Sequence, residues 1–189
     1  MVWKARKCVK KMSIRTCYEK YGVKAFYQQF GDNYRNPHEA AIFKIIAAII
    51  RESQADWSRV LDLASGSGEV TLALKSLGYT NVDAIEPYIF KAYFERTGKA
   101  AETYCFEDIE QGCLSERRYT TLICSFALHL AEPSRLPRLS YQLSRIAPTL
   151  LVITPHKKPL LKPEWGWTLL NEWLIDRVRG RLYQSVKPM

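Results

Sequence analysis

Two hydrophobic rhythms run along this chain. Between residues 36 and 52 the apolar positions recur at three and four, with Ile42, Ile45, Ile46 and Ile49 on one stripe, and this predicts an amphipathic helix. Its start is punctuated: Asn36 can cap, Pro37 suits the first helical position, and Glu39 stands three residues after the cap, the spacing of a capping box. From Arg59 the rhythm changes. Val60–Leu63, Val82–Ile85, Thr103–Phe106, Tyr119–Ser125 and Leu150–Thr154 read as short buried strands. Helical patterns separate them: one from near Glu69, one from about Tyr88 to Thr97, and one carrying Leu136, Leu139, Leu143 and Ile146 on its apolar stripe. A last helix is predicted near Trp167 to Ile175, and Val178 to Val186 closes the chain as a strand. Strands separated by helices predict an α/β fold: a Rossmann-like, doubly wound, mostly parallel sheet of six or seven strands with helices on both faces. After the last predicted helix only about a dozen residues remain, room for one long strand.

Before this region the pattern is different. Residues 1–12 read as a basic tail, and residues 13–58 as N-terminal helices that serve as a lid or cap on the α/β domain of residues 59–189. Residues 13–30 carry Tyr18, Tyr21, Phe26, Tyr27 and Phe30 in a short helix interrupted near Gly22. With Tyr34, these rings either close over a ligand or pack the N-terminal helices onto the sheet.

Composition narrows the class. The chain has 189 residues, 47% hydrophobic and 25% charged, which is globular usage and excludes a wholly disordered chain. No apolar stretch approaches the ~18 to 20 residues of a membrane span. Five cysteines, at 8, 17, 105, 113 and 124, are odd in number and form no Cys-x-x-Cys. With no secretory signal at the start, a reducing, cytoplasmic setting is expected, without a disulfide framework or a metal site. The formal charge of +9 sits at the ends. Residues 1–24 carry +7 and residues 154–189 carry +4, while the body between them is close to neutral. Such basic ends suit a phosphate backbone, or are simply solvated.

The chemistry concentrates at strand ends. In Val60–Val70 a strand meets the turn Ala64-Ser65-Gly66-Ser67-Gly68 and a helix begins. Gly66 and Gly68 allow a tight turn and close approach of a ligand, and the N–H groups at the helix start attract electron-rich groups. Asp62, four residues before Gly66, would repel a pyrophosphate and suit an ammonium or a sulfonium. Glu86, at the end of the second strand, can accept hydrogen bonds from both ribose hydroxyls. Asp108, just past the third predicted strand, can accept from an adenine amino group. Three acids at the carboxyl ends of successive strands mark where open α/β sheets bind ligands.

These residues resemble the class I S-adenosylmethionine-dependent methyltransferases over roughly residues 40–155. The family's first motif is similar to Asp62-Leu63-Ala64-Ser65-Gly66-Ser67-Gly68, with Ala64 in place of its first glycine. Its ribose-binding acid matches Glu86 and its adenine-binding acid Asp108. Its fourth motif matches Ile123-Cys124-Ser125-Phe126-Ala127-Leu128-His129. The resemblance implies S-adenosyl-L-methionine as cofactor. It implies a binding set of Asp62, Ala64, Ser65, Gly66, Gly68, Glu86, Pro87, Asp108, Ile109, Ser125 and Phe126. It implies transfer of a methyl group to an acceptor, a small molecule slightly ahead of RNA. The fourth motif lacks the Asn/Asp-Pro-Pro-Tyr/Phe signature of enzymes that methylate exocyclic amines or amide nitrogens. A non-catalytic member acting as a binding protein or scaffold is the alternative. A nicotinamide dehydrogenase ranks last, since Thr71 stands where its third glycine is expected and Asp62 is unfavourable.

Where the acceptor holds a proton, a base is needed. His129 is the first candidate because it follows the fourth strand, with His38 and His156 as further ones. Trp165, Trp167 and Trp173 offer stacking faces, although rings at helical spacing are more often core. Arg177, Arg179 and Arg181 alternate on the closing strand, which places them on one face, as a phosphate-binding stripe or an edge kept soluble by charge.

Overall fold

A computed structural model describes residues 35–187, together with Ala25. The basic tail and the aromatic segment 13–30, apart from that alanine, lie outside the described residues. In chain order the elements are α1 (Glu39–Glu52), β1 (Val60–Leu63), α2 (Glu69–Ser76), β2 (Val82–Ile85), α3 (Phe90–Thr97) and α4 (Phe106–Glu110). They continue with β3 (Thr121–Ser125), α5 (Leu136–Ser144), β4 (Thr149–Thr154), β5 (Trp167–Ile175) and β6 (Val178–Ser185). The six described strands form one sheet in the order β2-β1-β3-β4-β6-β5. β2, β1, β3 and β4 are parallel, and β6 runs antiparallel to both β4 and β5.

The parallel strands read as unbroken apolar runs because both their faces are covered. Leu61 and Leu63 face a core shared with α5, while Val60 faces a core shared with α1 and α2. The isoleucine stripe of α1 is buried as predicted: Ile42, Ile45, Ile46 and Ile49 are each no more than 1% exposed. α1 seats on β6 at Gly180, where an added Cβ would lie 2.5 Å from Ile45 Cγ2 and 2.9 Å from Ile49 Cδ1. Close seating of this helix therefore requires a position without a side chain.

Three predicted elements differ. The capping box at Asn36 is not formed. Asn36 Oδ1 accepts from the N–H of His38 at 2.9 Å, the residue that caps α1, and Glu39 pairs with Arg96 of α3 instead of returning to Asn36. The third strand, expected at Thr103–Phe106, shrinks to a single parallel bridge between Ile85 and Glu102, because α4 begins at Phe106.

The segment Trp167–Ile175, read as a helix, is strand β5. Asp176 and Arg177 both have positive φ, 49° and 65°, the backbone of a tight two-residue hairpin turn. The hairpin pairs β5 with β6 and supplies a second antiparallel strand where the sequence predicts a helix and a single closing strand. Trp167 is fully buried and donates its indole N–H to the Ser140 carbonyl at 2.9 Å, a core role. Among the described residues no helix is long and apolar enough to cross a membrane.

Candidate active site

The carboxyl ends of β1, β2 and β3 open into a cavity of about 290 Å³. Its floor is the β1–α2 turn, with Ala64, Ser65 and Gly66. One side is Glu86, Pro87, Tyr88 and Ile89 after β2, and the far end is Tyr104 to Glu107 and Ile109 around α4. Ser125, Phe126 and Ala127 after β3 close the other side, and Asn36 reaches in from the start of α1. Two non-glycine residues that line it have left-handed backbones, Ala64 (φ 56°) and Phe126 (φ 55°). Such strain persists where the surroundings over-determine it, and at Phe126 the bond from its N–H to the Ile153 carbonyl at 2.8 Å is part of that hold.

Glu86 is 5% exposed and firmly oriented. Its Oε1 accepts from the N–H groups of Tyr88 (2.8 Å) and Ile89 (3.0 Å), and its Oε2 accepts from Gly66 at 2.8 Å. The last bond joins the ends of β1 and β2 across the cavity floor. Burial pushes the Glu86 carboxyl up, the three N–H donors oppose it, and the Glu69 charge adds to the rise. Each oxygen keeps lone-pair capacity beyond these bonds. The hydroxyls of Ser65 and Ser125 are buried without a hydrogen-bond partner, and both residues line the cavity. Both hydroxyls therefore have unused hydrogen-bonding capacity at the cavity.

The cavity is acidic in a basic protein. Among the described residues, Glu69, Glu86, Glu107, Glu110 and Glu132 line it, with Arg135 as the one cation. Arg135 is itself bound to Glu107 and Glu110, both at 2.7 Å, which pins α4 to the start of α5.

Eight of the eleven residues expected to bind a cofactor line this cavity: Ala64, Ser65, Gly66, Glu86, Pro87, Ile109, Ser125 and Phe126. Three are placed elsewhere. Asp62 lies beneath the turn, fully buried. Its Oδ2 accepts from the Thr71 hydroxyl (2.7 Å) and N–H (3.2 Å), and its Oδ1 has no partner. Burial raises its carboxyl to about 7, with Thr71 opposing and the charges of Glu69 and Glu86 adding. Asp62 therefore anchors α2 from beneath the turn.

Gly68 is not among the lining residues; at φ 90° its added Cβ would meet Thr97 Cγ2 at 2.5 Å, so its bareness lets α3 approach the turn. Asp108 is the third residue of α4, and its carboxylate turns back to cap the N–H of Cys105 at 2.8 Å. The expected third strand would have aimed Asp108 at the cavity. The early start of α4 puts Cys105, Phe106 and Glu107 there instead.

His129 is not among the lining residues. Its ring lies against His156, centroids 4.4 Å apart, and burial, then the His156 charge, lowers its imidazole to about 4. His38 stacks on Phe126 with centroids 5.1 Å apart and rings 19° from parallel. Asn36 was missed as a site residue, because its cap-like setting gave a sufficient local reason for it. The arginine stripe is not free: Arg179 and Arg181 both pair with Glu172 of β5, and Arg177 sits in the hairpin turn. Among the described residues no group of three or more His, Cys, Asp or Glu is placed to hold a metal ion.

This is the architecture of the Rossmann-like methyltransferases. Methyltransferase CcbJ from Streptomyces caelestis superposes with a TM-score of 0.62 at 14% identity, covering 87% of this chain and 96% of that one. Magnesium protoporphyrin IX methyltransferase from Synechocystis PCC 6803, solved with bound SAH, gives 0.61 at 13% identity, covering 92% and 100%. A SAM-dependent methyltransferase from Aquifex aeolicus gives 0.57 at 13% identity, covering 80% and 94%. The chain belongs to the family of Schizosaccharomyces pombe protein C17A5.05c, an uncharacterized protein to which it is 30% identical over 210 residues, 82% of this chain and 85% of that one. No protein-family model matches.

Proposed function

We propose that this protein is a methyltransferase that uses S-adenosyl-L-methionine and passes the methyl group to a small-molecule acceptor. The observation that carries this reading is the acidic cavity at the ends of β1, β2 and β3, with Glu86 locked by three backbone amides and two unpartnered serine hydroxyls beside it. A nucleoside fits this donor set. Glu86 would accept from the ribose hydroxyls, the apolar rings of Tyr104 and Phe106 would flank the base, and the surplus of carboxylates favours a cationic sulfur over a phosphate.

When bound, the cofactor supplies a methyl group already activated on a sulfonium, so alignment is the protein's main task. Ala64, Ser65 and Gly66 hold the amino-acid end, and Glu86 with Pro87 holds the sugar. Ile109 packs the base, and Ser125 and Phe126 wall the reacting end. The buried Asp62 adds a negative field below the turn without touching the ligand.

A small molecule is preferred over RNA because Arg179 and Arg181 are consumed by Glu172, leaving no cationic stripe on β6. Calorimetric titration with S-adenosylmethionine and S-adenosylhomocysteine tests the reading. Micromolar binding that weakens at least tenfold in Glu86→Ala is the expected result. Absence of binding at millimolar concentration would overturn it.

A further inference from the structure

Cations and rings gather on a second surface, outside the acidic cavity. From Leu136 to Pro163 the sequence holds no Asp or Glu, and Val178 to Met189 holds none either. On α5 and its cap, Arg138, Tyr141 and Arg145 stand three and four positions apart, which places them on one face, and all three are exposed. Two other segments pack against the end of that face. Gly166 lies so close that an added Cβ would be 2.4 Å from Ser144 Oγ and 4.0 Å from Tyr141 Cα. Ser185 Oγ donates to the Ser144 carbonyl at 3.0 Å, and the N–H of Val186 donates to the Gly166 carbonyl at 3.0 Å. These contacts join Lys162 and Trp165, just before Gly166, and Lys187, just after Val186, to the face of α5.

Each ring there carries a cation. Lys187 Nζ is 3.5 Å from the centroid of the Tyr141 ring, and Lys162 Nζ is 5.3 Å from that of Trp165. Arg138, Arg145, Lys162 and Lys187 have no acidic partner among the described residues, in contrast to Arg179 and Arg181, which Glu172 holds. Glu164 is the single acid on these described segments.

We propose that this surface binds a single-stranded nucleic acid. Cations without carboxylate partners follow its phosphates, and the two rings supply stacking faces for its bases. As a base takes the ring face, the displaced ammonium moves to the adjoining phosphate, so the ring keeps a stacked partner and the cation gains an anion. A lipid surface is the other polyanion that basic, aromatic patches meet. Trp165 favours the nucleic acid: it is half-buried and packed against the core of the sheet, so it offers a face for stacking and cannot insert into hydrocarbon. None of the six residues lines the cavity, so binding here is independent of the cofactor and of which molecule accepts a methyl group.

Fluorescence anisotropy of a labelled oligouridylate of about 12 nucleotides, titrated with the full-length protein at ~50 to 200 mM salt, tests this. The basic residues 1–24 are common to parent and variants, so the differences report the surface. Arg138→Gln combined with Arg145→Gln is expected to weaken binding about tenfold at the lowest salt and to reduce the slope of log affinity against log salt by about 1.4, the share of two phosphates on a single strand. Tyr141→Ala is expected to weaken binding about fivefold with the slope unchanged, because stacking carries no counterion. Parent-like affinity in both variants would overturn the proposal, as would absence of binding by the parent at the lowest salt. Tighter binding to phosphatidylserine vesicles with the same residue dependence would also overturn it, in favour of a lipid surface. S-adenosylhomocysteine affinity is expected to stay within about twofold in both variants; if it falls together with oligonucleotide binding, the residues act through the fold and the surface is not the site. Failure of the parent to bind S-adenosylhomocysteine would overturn the methyltransferase reading and leave this surface untouched.

Discussion

The backbone N–H of Asn36 donates to Oε1 of Glu69 at 3.0 Å, and this bond ties the start of α1 to the turn after β1. The same oxygen accepts from the Ser67 hydroxyl and from Arg96, so one buried carboxylate joins α1, the cavity floor and α3. Glu69→Ala strands a buried amide, a hydroxyl and half of a guanidinium's pairing. A loss of about 2–4 kcal/mol in urea unfolding is expected. Glu69→Gln keeps an acceptor oxygen and should lose less than half as much. Equal losses in the two variants would show that charge, not the anchoring bond to Asn36, dominates here.

Two glycines set how closely helices approach, and they separate stability from binding. Gly180→Ala forces a Cβ into Ile45 and Ile49, and overpacking of this kind costs about 1–3 kcal/mol. Gly68→Ala meets Thr97 at a positive φ, so it carries backbone strain as well, and the larger loss is expected there. Thermal unfolding with and without S-adenosylhomocysteine distinguishes them. Gly180→Ala should lower the melting temperature in both conditions by the same amount, whereas Gly68→Ala displaces the cavity floor and should also reduce the ligand-induced rise.

The parallel half of the fold was legible because burial on both faces leaves strong, short apolar runs, and the chain alternates them with helical periods. β1 and β2 fall at their predicted bounds, and β3 and β4 within two residues of theirs. The hairpin was not legible for a stated reason. Its turn is Asp176-Arg177, two left-handed residues with no glycine or asparagine to signal them, and the spacing of Trp167, Leu170, Trp173 and Leu174 imitates a helix. β5 is also an edge strand with most of its residues exposed, so its alternation is weak.

The site was legible at the level of strand ends and less so at the level of side chains. Glu86 stands at the end of β2 and in the cavity wall, where an acid at that strand end was expected, and its carboxylate also has a local role in holding the N–H groups of Tyr88 and Ile89. Asp108 caps the start of α4, and a capping carboxylate and a ligand-binding carboxylate look alike until the helix start is known. Asn36 reaches the cavity only through its tertiary contact with Glu69, which no local pattern encodes.

Arg181 of β6 is a buried cation that ties the loop after β4 to the edge strand β5. It is 2% exposed, pairs with Glu172, and donates to the carbonyls of His156, Lys157 and Pro159, holding the loop after β4 onto the sheet. Arg181→Met leaves those carbonyls and Oε2 of Glu172 without their arginine donor, while Arg179 still holds Oε1, and a loss of about 3 kcal/mol is expected. The loop should also become sensitive to limited proteolysis near Lys157 and Lys158. Unchanged stability together with lost RNA binding would instead restore the phosphate-stripe reading of this strand.

The buried Asp62 makes stability and binding depend on pH in a way whose sign is fixed. Its carboxyl is raised to about 7 by burial, against ~3.9 in an unfolded chain. Between those values the folded protein keeps a proton that the unfolded chain has released, so Asp62's contribution to stability falls as pH rises from 4 to 7. His129, lowered to about 4 by burial and by His156, runs the other way: its contribution falls as pH drops from about 6.5 toward 4. The two slopes overlap, so the difference between a variant and the parent protein is the useful quantity. Asp62→Asn should match the parent near pH 4 and exceed it at pH 8, by an amount on the order of 4 kcal/mol at most. A cation bound above the turn stabilises the ionised form of Asp62. Near pH 6.5, S-adenosylmethionine should therefore release more protons on binding than S-adenosylhomocysteine, as measured by calorimetry in buffers of different ionisation enthalpy. In Asp62→Asn that excess should vanish; if it persists, the proton comes from another group, and the field of Asp62 does not reach the ligand.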